Sequence, residues 1–502
     1  MNDKVFALSI QSGKRVIVAT DQYRVVPNAV TFLFGESGIG KSLLTRTVYG
    51  LTDTDELDTT VNNAAYRSHL SSPWTRQVMH NSFFVFQEPS SHLNPLIKLN
   101  DQLHEGSLAQ DTNEKHILDT LWEHASDKTI SAILELYPKP YRPSGGEKQR
   151  ILLAMAFKKI NVFQQSTNPE VPSFFVFDEP TGSLDNNYRN VFLKLLFDKF
   201  RQRPFTVMLI THDYSIISEI EQHHADLTSA IHYKELYRRA GSNVAVRSFK
   251  AKEYTTWLQQ SSGMSAGFSS QNIVLNMQQS FRVFERSLHL FADPAHRRPA
   301  DLCIRKGEMV YLKAPSGVGK TTLAKIVMGL LKAQHSSLSL SGLSLNQDTP
   351  VAFWHKHIWG KKAGMIFQHA DEALNLQATV KETFKGLPTR FKMSDKAIAA
   401  HLKQLFDISI TPEFLNKKVA WLSGGQKQRL NILRTLALDT DLIILDEPLN
   451  GLDFASIRKV LSLLEQKRRS GKALLMISHN EEIFDTIVGP EHVVYLREGA
   501  DA

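Results

Sequence analysis

The sequence predicts two α/β domains in tandem, each a mostly parallel sheet with a helical insert. Three observations carry that expectation. A set of motifs runs in fixed order and then runs again, matched positions keep a near-constant separation, and the chemical residues stand at the ends of unbroken apolar runs. Lys41 and Lys320 are 279 residues apart, Ser144 and Ser423 are 279 apart, and His212 and His479 are 267 apart. Continuous apolar runs mark strands buried on both faces, and such sheets collect their functional groups at the carboxyl ends of the strands.

Each run has a place. Residues 30–34 and 309–312 lead into Gly35-Glu36-Ser37-Gly38-Ile39-Gly40-Lys41-Ser42 and Ala314-Pro315-Ser316-Gly317-Val318-Gly319-Lys320-Thr321, two P-loops. Residues 174–177 and 442–445 precede Asp178-Glu179-Pro180 and Asp446-Glu447-Pro448, and residues 206–210 and 473–477 precede Thr211-His212 and Ser478-His479. Residues 396–405 read as helix within an insert. The Gly/Ser/Gln-rich stretch 236–270 reads as a linker with a short amphipathic piece at 254–258. The expected division is therefore 1–235, linker 236–270, and 271–502, the last opening on a strand near Ile273.

At 502 residues there is room for two domains, and 42% hydrophobic with 22% charged residues is the composition of a soluble globular protein. No stretch approaches the roughly 20 apolar residues that cross a bilayer, and the N-terminus lacks a signal-peptide layout. Cys303 is the one cysteine, which excludes an intrachain disulfide or a cysteine metal cluster and points to the cytosol. The net charge of +8 is compatible with nucleic acid or an anionic membrane face but is spread thinly. It reads as a solvated surface and does not by itself name a partner; no nucleic-acid partner is expected.

Glycines at Gly35, Gly38 and Gly40, and at Gly317 and Gly319, let backbone N–H groups converge on phosphate, with Ser37, Ser316 and Ala314 completing the cradles. Lys41 and Lys320 would neutralise β- and γ-phosphates, and Ser42 and Thr321 would ligate Mg²⁺. Asp178 and Asp446 would hold that ion through its water shell, while Glu179 and Glu447 orient and polarise the attacking water. His212 and His479 would sense the γ-phosphate; Gln87 and Gln368, each after a run ending in Phe, would touch Mg²⁺ and the water. Ser144-Gly145-Gly146 and Ser423-Gly424-Gly425 read as capped helix starts, and a glycine-opened helix N-terminus suits a second phosphate contact.

The whole set resembles the ATP-binding cassette (ABC) ATPases: Walker A, Q-loop, signature, Walker B and H-loop, in order, twice, over nearly the whole chain. The resemblance implies ATP and Mg²⁺ as cofactors and places Asp185 and Asp453 in the D-loops. It also implies cassettes facing head to tail, each ATP lying between one half's Walker A and the other's signature, with one chain supplying both. Two departures then fall in one composite site: Ala314 replaces the first Walker A glycine, and Pro143 replaces the signature leucine. If that glycine position needs positive φ, alanine enters it at a cost of about 1 kcal/mol or more, and Pro143 pushes Arg142 towards extended backbone. The Lys320 site is expected to be the weaker. The family's adenine-stacking aromatic belongs upstream of the P-loop, where Tyr23, Phe6 and Phe291 are the candidates.

The run Gln87-Glu88-Pro89-Ser90-Ser91-His92-Leu93-Asn94-Pro95 resembles the dipeptide, oligopeptide and nickel importer ATPases, and Gln368 to Asn375 is a weaker copy. This resemblance implies an ATPase at the cytoplasmic face of the inner membrane, driving integral-membrane permease subunits served by a substrate-binding protein. The missing His-Pro-Tyr-Thr-type extension, and a lone Cys303 that cannot hold an iron–sulfur cluster, favour a compact nickel or metal-chelate member. Soluble tandem ABC proteins acting on ribosomes resemble one another in a long charged helical linker, unlike residues 236–270. Tandem DNA-repair ATPases would want zinc cysteines. Tandem sugar-importer ATPases share the architecture and are the closest alternative within transport.

Overall fold

A computed structural model describes residues 3–111, 113–123, 125–137, 142–168, 171–180, 186–239, 243–265, 270–315, 317–389 and 393–499. The chain divides into two compact units, Met1–Tyr254 and Thr255–Ala502.

In the first unit the core sheet runs, edge to edge, Val244–Ser248, Ile231–Arg238, Val30–Gly35, Val207–Ile210, Phe175–Asp178 and Phe84–Val85. All neighbours pair parallel except Val244–Ser248, which is antiparallel on Ile231–Arg238. The three central strands are buried at every position, which is why their sequences are mostly Val, Phe, Leu, Ile and Met rather than alternating. A smaller antiparallel sheet, led by the hairpin Lys4–Ser12 and Arg15–Val25, covers the P-loop side. Val18 of that hairpin sits where a Cβ on Gly40 would meet it at 3.0 Å.

The second unit repeats the plan with Val493–Gly499, Met309–Lys313, Ala473–Ile477, Leu442–Asp446 and Ala363–Ile366 as parallel neighbours. Its antiparallel edge comes from upstream, the hairpin Ser280–Val283 and Arg286–Phe291, the latter pairing with Val493–Gly499. The first unit takes the matching edge strand from downstream. Both solutions cover the flank of the last core strand.

That edge strand corrects the linker expectation. Residues 236–270 carry more structure than a linker needs: Val244–Ser248 is a sheet strand, and Ala251–Gln260 is a helix. Phe249 packs at a tilt against Phe34 and Tyr214, and Tyr254 stacks on Tyr214, so the part of this stretch up to Tyr254 belongs to the first core. Beyond the helix, Ser265 donates to the Ile487 carbonyl within the second unit. Aromatic side chains within this stretch, which its Gly/Ser composition masks, decide the packing of its described part.

Candidate active site

Both P-loops connect a core strand to a helix, Val30–Gly35 to Lys41–Tyr49 and Met309–Lys313 to Lys320–Val327. Gly38 and Gly40 have φ of 75° and 112°, and Gly317 and Gly319 have 81° and 121°, the left-handed turns a phosphate cradle requires. Neither helix has a side-chain cap, so its first N–H groups stay open to an anion. The lysines are buried and fold back over the loops. Lys41 Nζ donates to the Gly35 and Glu36 carbonyls (2.7 and 3.1 Å), and Lys320 Nζ to those of Ala314 and Pro315 (2.6 and 3.2 Å).

The strain expected at Ala314 is absent. Gly35 has φ 137°, and a Cβ there would lie 2.5 Å from the Leu236 carbonyl oxygen, whereas Ala314 is not among the positive-φ residues and packs against the second core. The second loop leaves its strand along a path an L-residue can follow. Ser316 lies outside the described residues, as does Asp185.

Ser42 Oγ donates to Asp178 Oδ1 at 2.9 Å, while Asp178 Oδ2 and both Asp446 oxygens are buried with no hydrogen-bond partner among the described residues. Burial, above the opposing hydrogen bond from Ser42, pushes the Asp178 carboxyl up to about 6, and burial likewise raises that of Asp446. Orphaned carboxylate oxygens beside a hydroxyl are an unmet demand for a cation, and an all-oxygen donor set fits Mg²⁺. Gln87 is exposed and Gln368 half-buried, each just past the strand beside the Asp-bearing one; neither hydrogen-bonds the serine, threonine or aspartates.

Glu179 and Glu447 both adopt the left-handed conformation, φ 50° and 49°, with their N–H groups held by the Ile210 and Ile477 carbonyls at 2.9 Å. A glutamate in that region carries strain, and its occurrence at both copies ties it to the site. His212 Nδ1 is 2.7 Å from Glu179 Oε2; His479 Nε2 is 3.6 Å from Glu447 Oε1. Against burial, the His212 charge holds Glu179 below the usual carboxylate range, and Glu179 raises His212. Burial pushes Glu447 up to about 7 despite the His479 backbone N–H and the Ser478 hydroxyl, which donates to Oε2 at 3.1 Å.

Both signature serines cap helices by the reciprocal capping box. Ser144 accepts from Glu147 N (3.2 Å) and Ser144 N donates to Glu147 Oε2 (2.6 Å); Ser423 and Gln426 do the same at 3.2 and 3.1 Å. Pro143 is buried, as Leu422 is at the matching position.

With this geometry in place, the comparisons are decisive. A family model described as ABC transporter matches residues 20–182 and again 298–450. The chain is a tandem ABC ATPase. An ABC transporter ATP-binding protein of Escherichia coli K12, YejF, is 27% identical over 97% of this chain and 92% of its own. The glutathione import ATP-binding protein GsiA of the same organism is 24% identical over 92% and 79%. Among solved structures, one described as RNase-L Inhibitor aligns with a TM-score of 0.62 at 16% identity, over 97% of this chain and 89% of that one, a likeness of fold alone. The ABC fold read from the motifs is thus the fold of the chain.

Sequence reasoning missed two features of this ABC ATPase. Ser478 was read only as the residue before the histidine, yet it holds Glu447. Of the adenine-stacking candidates, Tyr23 is buried and hydrogen-bonded to Thr45, Phe6 is buried against His69 and Trp74, and Phe291 is half-buried beside His296. The exposed aromatic of that region is Phe284, 73% exposed at φ 49° in the two-residue turn Phe284-Glu285. The same hairpin carries Leu288, which a Cβ on Gly319 would meet at 3.3 Å, so it lies over the P-loop. A bulky residue where turns take Asn or Gly was the available signal.

Proposed function

We propose that the chain is the motor of an importer for a peptide-like solute, driving separate permease subunits at the cytoplasmic face of the inner membrane. The observation that carries this is the segment after the first Q-loop glutamine. It resembles the peptide-importer run, and it presents Leu96 and Ile97 at 68% and 40% exposure behind the buried Leu93. Apolar residues held outward on a built loop suit a protein partner. The glutathione importer among the relatives, glutathione being a tripeptide, supports import and the solute class. Among the described residues no helix is long and apolar enough to cross a membrane, so a membrane path requires other subunits.

In this reading Gly35, Ser37, Gly38, Gly40 and Lys41 bind one triphosphate, and Ala314, Ser316, Gly317, Gly319 and Lys320 the other. Ser42 with Asp178, and Thr321 with Asp446, hold Mg²⁺, which neutralises phosphate charge when bound. Glu179 and Glu447 orient water as general bases, His212 and His479 fix those carboxylates, and Gln87 and Gln368 approach on nucleotide binding. Ser144, Gly145 and Gly146, with Ser423, Gly424 and Gly425, offer helix N-termini to γ-phosphate. Phe284 supplies a stacking face for adenine.

The test is affinity purification of the tagged chain from detergent-solubilised membranes at low and moderate salt. Two permease proteins that stay bound as salt rises support the reading. Ribosomes without a permease overturn it.

A further inference from the structure

The net charge of +8 lies wholly in one unit: Thr255–Ala502 has 31 Lys and Arg against 23 Asp and Glu, while Met1–Tyr254 balances 28 with 28. Part of the surplus borders an open pocket of about 640 Å³ on the surface of the second unit, where Gln404, Gln466 and Ser470 are exposed. The cavity lies where the end of the signature helix Gly424–Leu436 meets the insert helix Asp395–Leu402 and the core helix Phe454–Arg469. Its polar lining includes Thr389, His401, Gln404, Gln466, Lys467 and Ser470. Lys467 is half-buried, and its ammonium makes no hydrogen bond or ion pair among the described residues. The acidic residue on the wall, Asp439, is engaged by Lys472 at 2.7 Å.

The first unit shows how the same place is neutralised from within. Lys199 and Lys467 each stand 14 residues beyond the matched aspartates Asp185 and Asp453. There the signature helix runs further, Gly145–Gln165, and its lysines have internal partners. Lys158 is paired with Glu114, Lys159 donates to Ser107 Oγ at 2.6 Å, and Asp111 sits near enough to Lys199 to oppose the effect of its burial. The second unit ends that helix sooner, and the carboxylate that opposes the burial of Lys467, Asp439, is already held by Lys472. A half-buried lysine that shares its nearby carboxylate with a second lysine is under-neutralised, and a bound anion would complete it.

We propose that this cavity is an effector site for a small molecule bearing a phosphate or carboxylate group, with Lys467 as its counter-charge and Gln404 and Gln466 as hydrogen-bonding partners. His401 donates Nε2–H to the Leu433 carbonyl at 2.8 Å, which leaves Nδ1 as an acceptor for a donor on the same ligand. Burial, then the charge of Lys467, holds the His401 pKa down, so the ring stays neutral and keeps that acceptor. An occupant touching all three helices would tie the insert and the signature helix to the core, and so would alter ATP turnover without reaching either P-loop.

The experiment is calorimetric titration of the full chain, with its P-loops saturated by Mg-ADP, at fixed ionic strength. Inorganic phosphate, pyrophosphate and citrate are the three probes, each used alone. Saturable one-to-one binding of at least one is expected. Lys467→Gln should weaken it about tenfold, the loss of one charge-assisted hydrogen bond, while Lys467→Arg retains it. The exposed neighbour Lys403→Gln should leave it unchanged. Should Lys467→Gln fail to fold, Gln404→Ala, which removes no charge, is expected to weaken the same binding. Preference for the phosphates or for citrate assigns the ligand's anionic group. No saturable binding by any probe, or binding undiminished in Lys467→Gln and Gln404→Ala, overturns the proposal.

Discussion

Glu179 and Glu447 follow the same aspartate on the same kind of strand, with φ of 50° and 49°, and they have been given different company. Glu179 is charged against His212 at 2.7 Å; Glu447 leaves Oε1 without a hydrogen bond among the described residues, stands 3.6 Å from His479, and has its pKa pushed up to about 7 by burial. The P-loops diverge too, through Gly35 at φ 137° and an unstrained Ala314. Duplicated motifs therefore conserve backbone placement, because the strand ends fix it, while side-chain protonation drifts with one neighbouring hydroxyl or imidazole. The expected weakness of the Lys320 site does not come from strain at Ala314. If the sites are unequal, the carboxylates are the place to look.

The sharpest test is turnover. Glu179→Gln and Glu447→Gln should each slow ATP hydrolysis at their own site by about 10²-fold or more, with the double variant inactive. The paired surroundings of Glu179 predict unequal single-variant rates in a steady-state phosphate-release assay. Equal slowing would break the comparison.

Backbone comes next. Gly35→Ala should lower stability by a few kcal/mol, since its Cβ would meet the Leu236 carbonyl at 2.5 Å in a left-handed conformation. The converse change, Ala314→Gly, should cost under about 1 kcal/mol, from chain entropy alone. Chemical denaturation of the two variants measures both.

The carboxylates also predict opposite pH behaviour in the nucleotide-free protein. Glu447 has a folded pKa raised to about 7, so burying its charge costs stability above that pH, and the cost vanishes as pH falls towards the unfolded value. Glu447→Gln should thus raise Tm at pH 8 and leave it unchanged near pH 4.5, a gain of about 2–3 kcal/mol at most. Glu179 has a lowered folded pKa, so its stabilisation is present above the unfolded value and lost in acid; Glu179→Gln should lower Tm at neutral pH. Tm curves with the same sign for both would remove the distinction.

The smallest effect concerns the base. Phe284→Ala should weaken ATP binding in the second unit by about 1 kcal/mol, read with a fluorescent ATP analogue, whereas Lys14→Ala at the first unit's matching hairpin turn should not.

The sequence by itself determined the ABC fold, the tandem plan and the strand ends that carry lysines, aspartates, glutamates and histidines. Those features follow from periodicity and local backbone chemistry: unbroken apolar runs, glycines where φ is positive, serines at helix caps. It misjudged residues 236–270, where composition spoke for a loop and the long-range contacts of Phe249 and Tyr254 made a core flank. Only the tertiary structure decided the partners of Glu179 and Glu447, the burial of Tyr23 and Phe6, and the exposure of Phe284. It alone decided, too, that Lys199 lies near Asp111 while Lys467 shares Asp439 with Lys472. Such outcomes depend on atoms distant in sequence meeting within a few ångströms, and pKa, burial and strain are properties of that meeting rather than of any residue's place in the chain.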